Sequence, residues 1–383
     1  MEINIKDFKN LYQTYNEFKL TGVKGRYLEE TDLIEQFRLL SYVFKVKNEG
    51  YSEAGRIISS FHLGEGSVKI LIWSQMHGNE STTTKAVLDF LNFLRLYKTH
   101  SASILDSCSF IVIPVLNPDG AVNYTRVNAN GIDLNRDAFS RTQSESRILN
   151  KVYTEFQPNF CFNMHDQRSI FSAGHTNQSA TVSFLSPAYN KSRDINAVRQ
   201  QSMSLIASAT DLLSHFIPNQ VGRYDDSFNI NCVGDYFQSM GTPTVLFEAG
   251  HYHDDYEREE TRKFIFLALL NMIHDICKGI DSNRAKYYFS IPENQKLFYD
   301  VIIKDARLND SVVGNICIQY KEVLNSNRID FTPIIEEIDS NEMYYGHKLI
   351  NALSHPVKPS HDFQIKKGEI LKSFQINNID FVI

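Results

Sequence analysis

The strongest constraint on the fold is a series of short, almost uniformly apolar segments separated by longer amphipathic ones. Residues 68–73 and 110–116 are rich in β-branched side chains and bounded by loop residues, which is typical of strands buried on both faces of a sheet. The segment between them places Val87, Leu91 and Leu94 at helical spacing. Strand, helix and strand in this order predict a layered α/β architecture with at least partly parallel strands.

Further segments extend this pattern into a mixed, mostly parallel central sheet flanked by helices. Three more strands are predicted at residues 160–164, 182–185 and 244–247. Long helices are predicted over about 195–216 and 256–277. For the second helix, Asp254 is the expected N-cap, with Glu257 three residues later, and Gly279 is the expected end.

The pattern changes near residue 282. Segments such as FYDVIIKDARL and VVGNICIQYKEV alternate apolar and polar residues and are separated by Asn, Asp and Gly turns. The chain is therefore expected to consist of a large α/β domain over residues 1–282 and a small β-rich C-terminal domain over residues 283–383.

Composition and charge limit the classes of binding partner and the cellular compartment to be expected. The net charge of −6 and the absence of a Lys/Arg-rich run give no support for nucleic-acid or anionic-membrane binding. No apolar stretch is long enough to span a bilayer, and the N-terminus has no apolar signal segment. The cysteines are odd in number and lack CxxC spacing: Cys108, Cys161, Cys232, Cys277 and Cys317. Reduced thiols and a cytoplasmic location are expected.

The first chemical motif is HGNE, which follows the predicted strand at 68–73 and precedes the predicted helix. His77 and Glu80 can converge on one cation there, outside the carboxyl end of a strand. Imidazole and carboxylate together suit Zn²⁺, and a catalytic zinc needs three protein ligands and an open position. An isolated HxxE pattern is also compatible with a surface turn.

The second motif is NPDG at residues 117–120, which predicts a type I turn. The loop that follows, YTRVNANGIDLNRD, contains Arg126, Asn135 and Arg136. Guanidinium groups bind carboxylates in a bidentate manner, so this loop is a candidate anion receptor. A solvated charged loop is the alternative interpretation.

Taken together, HGNE, NPDG, NANGIDLNR, FNMHD and TVLFEAG follow one another as in the M14 family of zinc carboxypeptidases, which the chain resembles over about residues 45–275. The resemblance implies a zinc carboxypeptidase-like fold for the domain at 1–282. It also implies one Zn²⁺ per chain and hydrolysis of the C-terminal peptide bond of substrates with a free carboxylate.

The resemblance also implies roles for individual residues. His77, Glu80 and His165 match the zinc ligands, and Glu248 matches the general base that activates the metal-bound water. Arg126 matches the arginine that polarises the scissile carbonyl.

Four further positions match residues around the substrate. Asn135 and Arg136 correspond to the pair that grips the terminal carboxylate, and Asp133 to the carboxylate that orients the first zinc histidine. Tyr224 is the nearest match to the tyrosine that caps the bound substrate, with Tyr236 as an alternative that more readily packs.

Other functions share parts of this machinery. Zinc amidohydrolases resembling aspartoacylase and succinylglutamate desuccinylase act on N-acyl amino acids with similar HGNE and DLNR motifs, and a murein-peptide amidase is a further variant. The stretch from NPDG to NANG before DLNR favours the peptidase. From a different class, a pseudoenzyme could use the same fold only for binding.

Overall fold

The computed structural model describes residues 4–308, 312–339, 343–360 and 364–383 and divides into two compact units. The first consists of Met1–Gln167 and Ala180–Asn294, and the second of Arg168–Ser179 and Gln295–Ile383. The units therefore separate later than the expected boundary at 282/283, which falls at the start of the 3₁₀-helix Ser282–Ser290. The assignment of separate catalytic and C-terminal domains stays a prediction.

The helices belong to the first unit. They are α1 (Ile5–Gln13), α2 (Glu30–Ser41), α3 (Thr82–Leu96), α4 (Lys98–Ser107), α5 (Pro118–Asn123), α6 (Ser144–Phe156), α7 (Ala197–Ser214), α8 (Val233–Ser239) and α9 (Glu259–Lys278). Short 3₁₀-helices cover Tyr15–Glu17, Leu134–Arg136 and Ser282–Ser290. Within the described residues, no helix combines the length and apolarity that a membrane span requires.

Within the part of the chain that the structure describes, the strands form four sheets. They are β1 (Lys45–Tyr51), β2 (Ile57–Leu63), β3 (Val68–Ser74), β4 (Cys108–Ile113), β5 (Phe160–Asp166), β6 (Phe171–Ala173), β7 (Val182–Leu185), β8 (Val221–Arg223), β9 (Thr244–Ala249), β10 (Asn294–Lys296), β11 (Phe298–Arg307), β12 (Val313–Asn325), β13 (Arg328–Asp339), β14 (Tyr345–Asn351), β15 (Val357–Pro359), β16 (Ser373–Ile376) and β17 (Ile379–Val382).

The first unit is built on an eight-stranded sheet in the order β1-β2-β4-β3-β5-β9-β7-β8. Its centre, from β4 through β3 and β5 to β9, is parallel. The pairs β1/β2, β2/β4 and β7/β9 are antiparallel, whereas β7 and β8 are parallel. The expected mixed, mostly parallel sheet is confirmed, and the five apolar runs predicted as strands became β3, β4, β5, β7 and β9.

Both faces of this sheet are covered by apolar side chains, which explains why its central strands are almost uniformly apolar. Ile70 and Ile72 of β3 face a cluster that includes residues of α3, α7 and α9. Leu71 and Trp73, which alternate with them, face a second cluster that includes residues of α6 and α8. The period-two alternation of a strand thus delivers apolar residues to both layers.

The start of α9 differs from the expectation. The helix begins at Glu259 rather than near 256, and Asp254 does not cap it but adopts a left-handed conformation with φ of 57°. Asp255 caps it instead: its carboxylate accepts hydrogen bonds from the backbone N–H groups of Glu259 and Glu260 at 2.8 Å and of Thr261 at 3.1 Å. Gly279 ends the helix as predicted.

The NPDG segment is more than a turn. Asn117 is the N-cap of α5, and its side-chain oxygen accepts a hydrogen bond from Gly120 N at 2.8 Å. Pro118 occupies the first helical position, where its fixed φ and missing N–H cost nothing. The predicted type I turn is therefore the first turn of a short helix.

The second unit is β-rich, as expected for the C-terminal region. Strands β13, β12, β11 and β14 form one sheet, and β15, β16 and β17 form another. The short strands β6 and β10 pair with each other. Its core contains Val301, Ile316, Ile335 and Phe374, all of which are fully buried.

Candidate metal centre and active site

Three side chains with metal-binding atoms converge at the carboxyl ends of adjacent strands. His77 and Glu80 follow β3, and His165 lies near the end of β5, which pairs with β3 in parallel. Their ligand atoms all lie within 4.8 Å of one another. His77 and His165 are each 2% exposed and Glu80 is 7% exposed. The sequence prediction that these three residues meet is borne out by the geometry.

The Glu80 carboxylate lies between the two imidazoles. Its Oε1 is 2.8 Å from Nδ1 of His77, and its Oε2 is 2.8 Å from Nδ1 of His165. The other ring nitrogen of His77, Nε2, is 2.9 Å from Oδ1 of Asp133. A carboxylate at Nε2 leaves Nδ1 as the metal-facing atom, so two imidazole nitrogens and one carboxylate form a donor set that fits Zn²⁺.

The electrostatics of the cluster agree with an ionised Glu80. Burial opposes its ionisation, but the charges and hydrogen bonds of His77 and His165 outweigh burial and hold the pKa of Glu80 well below its usual range. For His165, burial outweighs the opposing charge of Glu80, so the pKa of His165 is lowered. For His77, burial is outweighed by Glu80 and Asp133, which raise its pKa.

Gly78 and Asp166 hold the turn after β3 and the end of β5 against neighbouring helices. A Cβ at Gly78 would lie 1.8 Å from the carbonyl carbon of Gly120, so the HGNE turn packs against α5 only because residue 78 is glycine. Asp166, the last residue of β5, accepts hydrogen bonds from the N–H groups of Thr82 at 2.8 Å and Thr83 at 3.0 Å. The end of β5 is thereby tied to the start of α3.

Glu248 lies beside the cluster on the neighbouring strand. It is the register partner of His165 where β9 and β5 pair in parallel, so the two side chains point to the same face of the sheet. Its Oε2 is buried and has no hydrogen-bond partner among the described residues, although the residue as a whole is partly exposed. Burial, and then the charges of Glu80 and Asp166, raise the pKa of Glu248 well above its usual value.

The two candidate tyrosines occupy different environments. Burial, and then the negative charges of Glu248 and Glu80, raise the pKa of Tyr224 above its usual value. Tyr236 is on α8 and packs with its ring centroid 5.8 Å from that of Phe237. The capping role of Tyr224 stays a prediction.

Arg126 and Asp133 connect the loop to the metal cluster, which consists of the three side chains of His77, Glu80 and His165. Arg126 donates from Nε to Oδ2 of Asp133 at 3.1 Å and from Nη1 to Oε1 of Glu80 at 3.3 Å. The Arg126 side chain is 48% exposed, so its guanidinium lies at the rim of the site. A cation at this rim can reach a ligand that approaches the metal-binding side chains.

Asn135 and Arg136 are held by the start of α8. Val233 N donates to Oδ1 of Asn135 at 2.9 Å, which turns the Nδ2 donors of that amide the other way. Nη1 of Arg136 donates to Asn135 O at 2.7 Å and to Sγ of Cys232 at 3.2 Å. Asn135 N donates to Asp133 at 2.9 Å, which joins this pair to the metal cluster.

Asp166 and Arg258 had no role in the sequence analysis, and the contact between Cys232 and Arg136 was not predicted. Asp166 directly follows His165, and its acidic side chain at a strand end was a signal that could have been used. Cys232 and Arg258 contact residues far away along the chain, and no local pattern announces such contacts.

Comparison with known proteins relates this geometry to a family. Residues 34–203 match the profile of the M14 peptidase family, described as zinc carboxypeptidase. The Probable carboxypeptidase 2 of Arthroderma benhamiae is 31% identical over 112 residues, 29% of this chain and 20% of that protein. Carboxypeptidase 2 of Trichophyton rubrum is 29% identical over 133 residues, 32% of this chain and 24% of that protein. The chain thus spans between a fifth and a quarter of the length of these relatives.

Solved structures show the same fold. A metallo-carboxypeptidase from Burkholderia cenocepacia has a TM-score of 0.53 and 16% identity, covering 65% of this chain and 69% of its own. One from Pseudomonas aeruginosa, in complex with (2-guanidinoethylmercapto)succinic acid, has a TM-score of 0.54 and 15% identity with the same coverage. The resemblance inferred from motif order is therefore confirmed. The profile match includes the three metal-binding candidates but ends before Tyr224 and Glu248.

Proposed function

We propose that this chain, a relative of the M14 zinc carboxypeptidases, removes the last residue from peptides that carry a free C-terminal carboxylate. One observation carries the proposal: His77, Glu80 and His165 converge within 4.8 Å, and Glu248 is the register partner of His165. A metal-binding triad beside a buried carboxylate is the minimum arrangement for metal-assisted hydrolysis of an amide bond.

His77, Glu80 and His165 would hold one Zn²⁺ per chain, leaving the fourth position for water or substrate. A zinc ion held there would act as a Lewis acid and would lower the pKa of water toward neutrality. Asp133 keeps His77 in the tautomer that presents Nδ1 to the metal, because its carboxylate lies 2.9 Å from Nε2.

Glu248 is the general base. Its buried Oε2 has no partner among the described protein atoms, so it is available to take a proton from the attacking water. The same carboxyl group can then deliver this proton to the leaving amine.

Arg126 and Tyr224 act on the scissile bond. The exposed guanidinium of Arg126, already 3.3 Å from Glu80, polarises the carbonyl and stabilises the oxyanion as it develops. Tyr224, whose pKa responds to Glu248 and Glu80, closes over the bound substrate.

Asn135 and Arg136 select a free C-terminus. The guanidinium of Arg136 and the Nδ2 donors of Asn135 together match the two oxygens of a terminal carboxylate. Because this receptor is joined through Asp133 to the metal cluster, it fixes the cut at the last peptide bond.

The amidohydrolase, murein-peptide amidase and binding-only alternatives would use the same cluster, but the comparisons do not favour them. A cytoplasmic location is part of the proposal.

The decisive experiment offers the zinc-loaded protein three matched substrate sets. These are N-blocked peptides with a free C-terminus, the same peptides amidated at the C-terminus, and N-acyl amino acids, with products identified by mass spectrometry. We expect release of the last residue from the first set only, and its loss after chelator treatment and recovery with zinc. Equal cleavage of the amidated peptides, or faster cleavage of the N-acyl amino acids, would refute the proposal.

A further inference from the structure

Arg258 is a fully enclosed arginine at the start of α9. The residue is 2% exposed and directly precedes the first residue of the helix, where its side chain makes no capping hydrogen bond and its backbone is left-handed, with φ of 60°. Such a backbone is uncommon for an arginine and persists only where the surrounding structure holds it. The guanidinium is buried at the carboxyl ends of β5 and β9 instead of extending into solvent.

The guanidinium bonds to the main chain of two strands. Nη1 donates to the carbonyl of Ala249 at 2.6 Å, and Nη2 donates to the carbonyl of Gln167 at 2.9 Å. Ala249 is the last residue of β9 and follows Glu248 directly. Gln167 follows the end of β5 and lies two residues after His165.

These two bonds extend the pairing of β5 and β9 beyond its last rung. The final backbone bond between the strands runs from Gln167 N to Ala249 O at 2.9 Å. Arg258 donates to the same Ala249 oxygen and also to the carbonyl oxygen of Gln167, the residue whose N–H makes that last bond. The planar fork of a guanidinium suits two acceptors at a set spacing, which a lysine ammonium does not reproduce.

The platform that carries Arg258 is itself anchored. Asp255 caps three N–H groups in the first turn of α9, from Glu259 to Thr261. The hydroxyl of Thr261 donates to Gly250 O at 3.0 Å, one residue beyond β9. The start of the helix is thus attached to Ala249 and Gly250 at the end of β9 and to Gln167 just after β5.

Arg262, one turn later, shows what a buried arginine does elsewhere in the same helix. It is fully buried, donates twice to the carboxylate of Asp89 at 2.6 Å, and donates to the carbonyls of Leu20 and Val23. Its partners belong to α3 and to the N-terminal segment, not to the strand ends that present His165 and Glu248. Arg258 therefore bonds to the strand ends beside the candidate site, whereas Arg262 bonds to groups in the core.

We propose that Arg258 is a positioning residue: it holds the carboxyl ends of β5 and β9 at the spacing that directs His165 and Glu248 to one point. The inference rests on the proposed function for its catalytic consequence, but the clamp itself is a structural property. A displacement of about 1 Å in an active site can lower turnover about 100-fold, so a small relaxation of either strand end is enough to matter.

The test compares Arg258→Lys and Arg258→Met with the matched control Arg262→Lys, all assayed well below their unfolding temperatures. We expect kcat to fall about 10-fold in Arg258→Lys and about 100-fold in Arg258→Met, with KM changed less than about threefold. Arg262→Lys is expected to lose thermal stability while its kcat stays within about twofold of the unmutated protein.

Hydrogen exchange read by mass spectrometry gives a measure that does not depend on activity. In the Arg258 variants, amides at residues 163–168 and 246–250 should exchange faster while the rest of the first unit keeps its protection. Exchange at these strand ends no faster than in Arg262→Lys, or an unchanged kcat in Arg258→Met, would overturn the clamp. If the unmutated protein hydrolyses no peptide, the proposed function fails, and the exchange comparison alone then decides whether the clamp exists.

Discussion

The candidate metal-binding cluster (His77, Glu80 and His165) and the proposed carboxylate receptor (Asn135 and Arg136) are built by different means. His77 and His165 lie at the ends of buried parallel strands and are each 2% exposed. Arg126 and Arg136 belong to the loop between α5 and α6, and both are exposed. The cluster inherits its geometry from the sheet, whereas the receptor depends on side-chain hydrogen bonds to the start of α8.

Asp133 joins the two regions. One of its oxygens meets both His77 Nε2 and Asn135 N at 2.9 Å, and the other accepts from Arg126. We therefore expect the strand ends to govern the rate of the chemical step and the loop to govern substrate binding. Changes in the first region should therefore appear in kcat, and changes in the second in KM.

The largest expected effect tests the strand-end region. Glu248→Gln should lower kcat by about 10³ to 10⁴, because the amide cannot take the proton of the attacking water. Zinc content, measured by plasma mass spectrometry, should stay at one per chain, since Glu248 is not among the three converging metal-binding candidates. A near-normal rate in this variant would mean that another group is the base.

The next effect tests the receptor. Arg136→Ala should raise KM for peptides with a free C-terminus about 100-fold, the value of a charge-assisted hydrogen-bonded pair. Because Arg136 is exposed, the free energy of unfolding should change little. The control is Arg147→Ala, which removes an exposed arginine of α6 that pairs with Glu53 in the turn between β1 and β2. Equal KM changes in both variants would contradict a specific receptor.

A smaller effect concerns the helix that supports the receptor. Burial raises the pKa of Asp235 on α8 to about 6, above the value of about 3.9 in an unfolded chain. The folded state therefore binds the proton more tightly, and this contribution to stability is present below about pH 4 and lost as pH rises through about 6. Asp235→Asn should thus become more stable than the unmutated protein by about 1–2 kcal/mol at pH 8, allowing for partial relaxation.

Urea unfolding of the Asp235→Asn variant at pH 4 and pH 8 checks the sign. The stability gain should be near zero at the lower pH and appear only at the higher one. A loss of stability that grows with pH would show instead that the ionised carboxylate is favourable on α8.

The smallest effect concerns the sulfur contact of Arg136. Removing Sγ in Cys232→Ala should raise KM about two- to fivefold at unchanged kcat, because sulfur is a weak acceptor for the guanidinium at 3.2 Å. Cys232→Ser keeps an acceptor and should recover most of the loss. A kcat effect as large as the KM effect would break the proposed division between rate and substrate retention.

The local parts of the fold could be predicted from the sequence. The apolar runs that became β3, β5 and β9 place His77, His165 and Glu248 next to strand ends, because burial on both faces demands continuous apolarity. Helix boundaries were less accurate. The cap of α9 is Asp255 rather than Asp254, since neighbouring acidic residues carry the same local signal and only the chain path chooses between them.

By itself, the sequence determined the five apolar strands, the long helices and the candidate zinc ligands, because these depend on local periodicity and side-chain chemistry. Only the tertiary structure decided that Val233 holds Asn135 and that Arg258 bonds to the ends of two strands. Such contacts join residues as far as 98 positions apart, and their partners are backbone groups that every residue possesses. No side-chain pattern can encode which of them will be met.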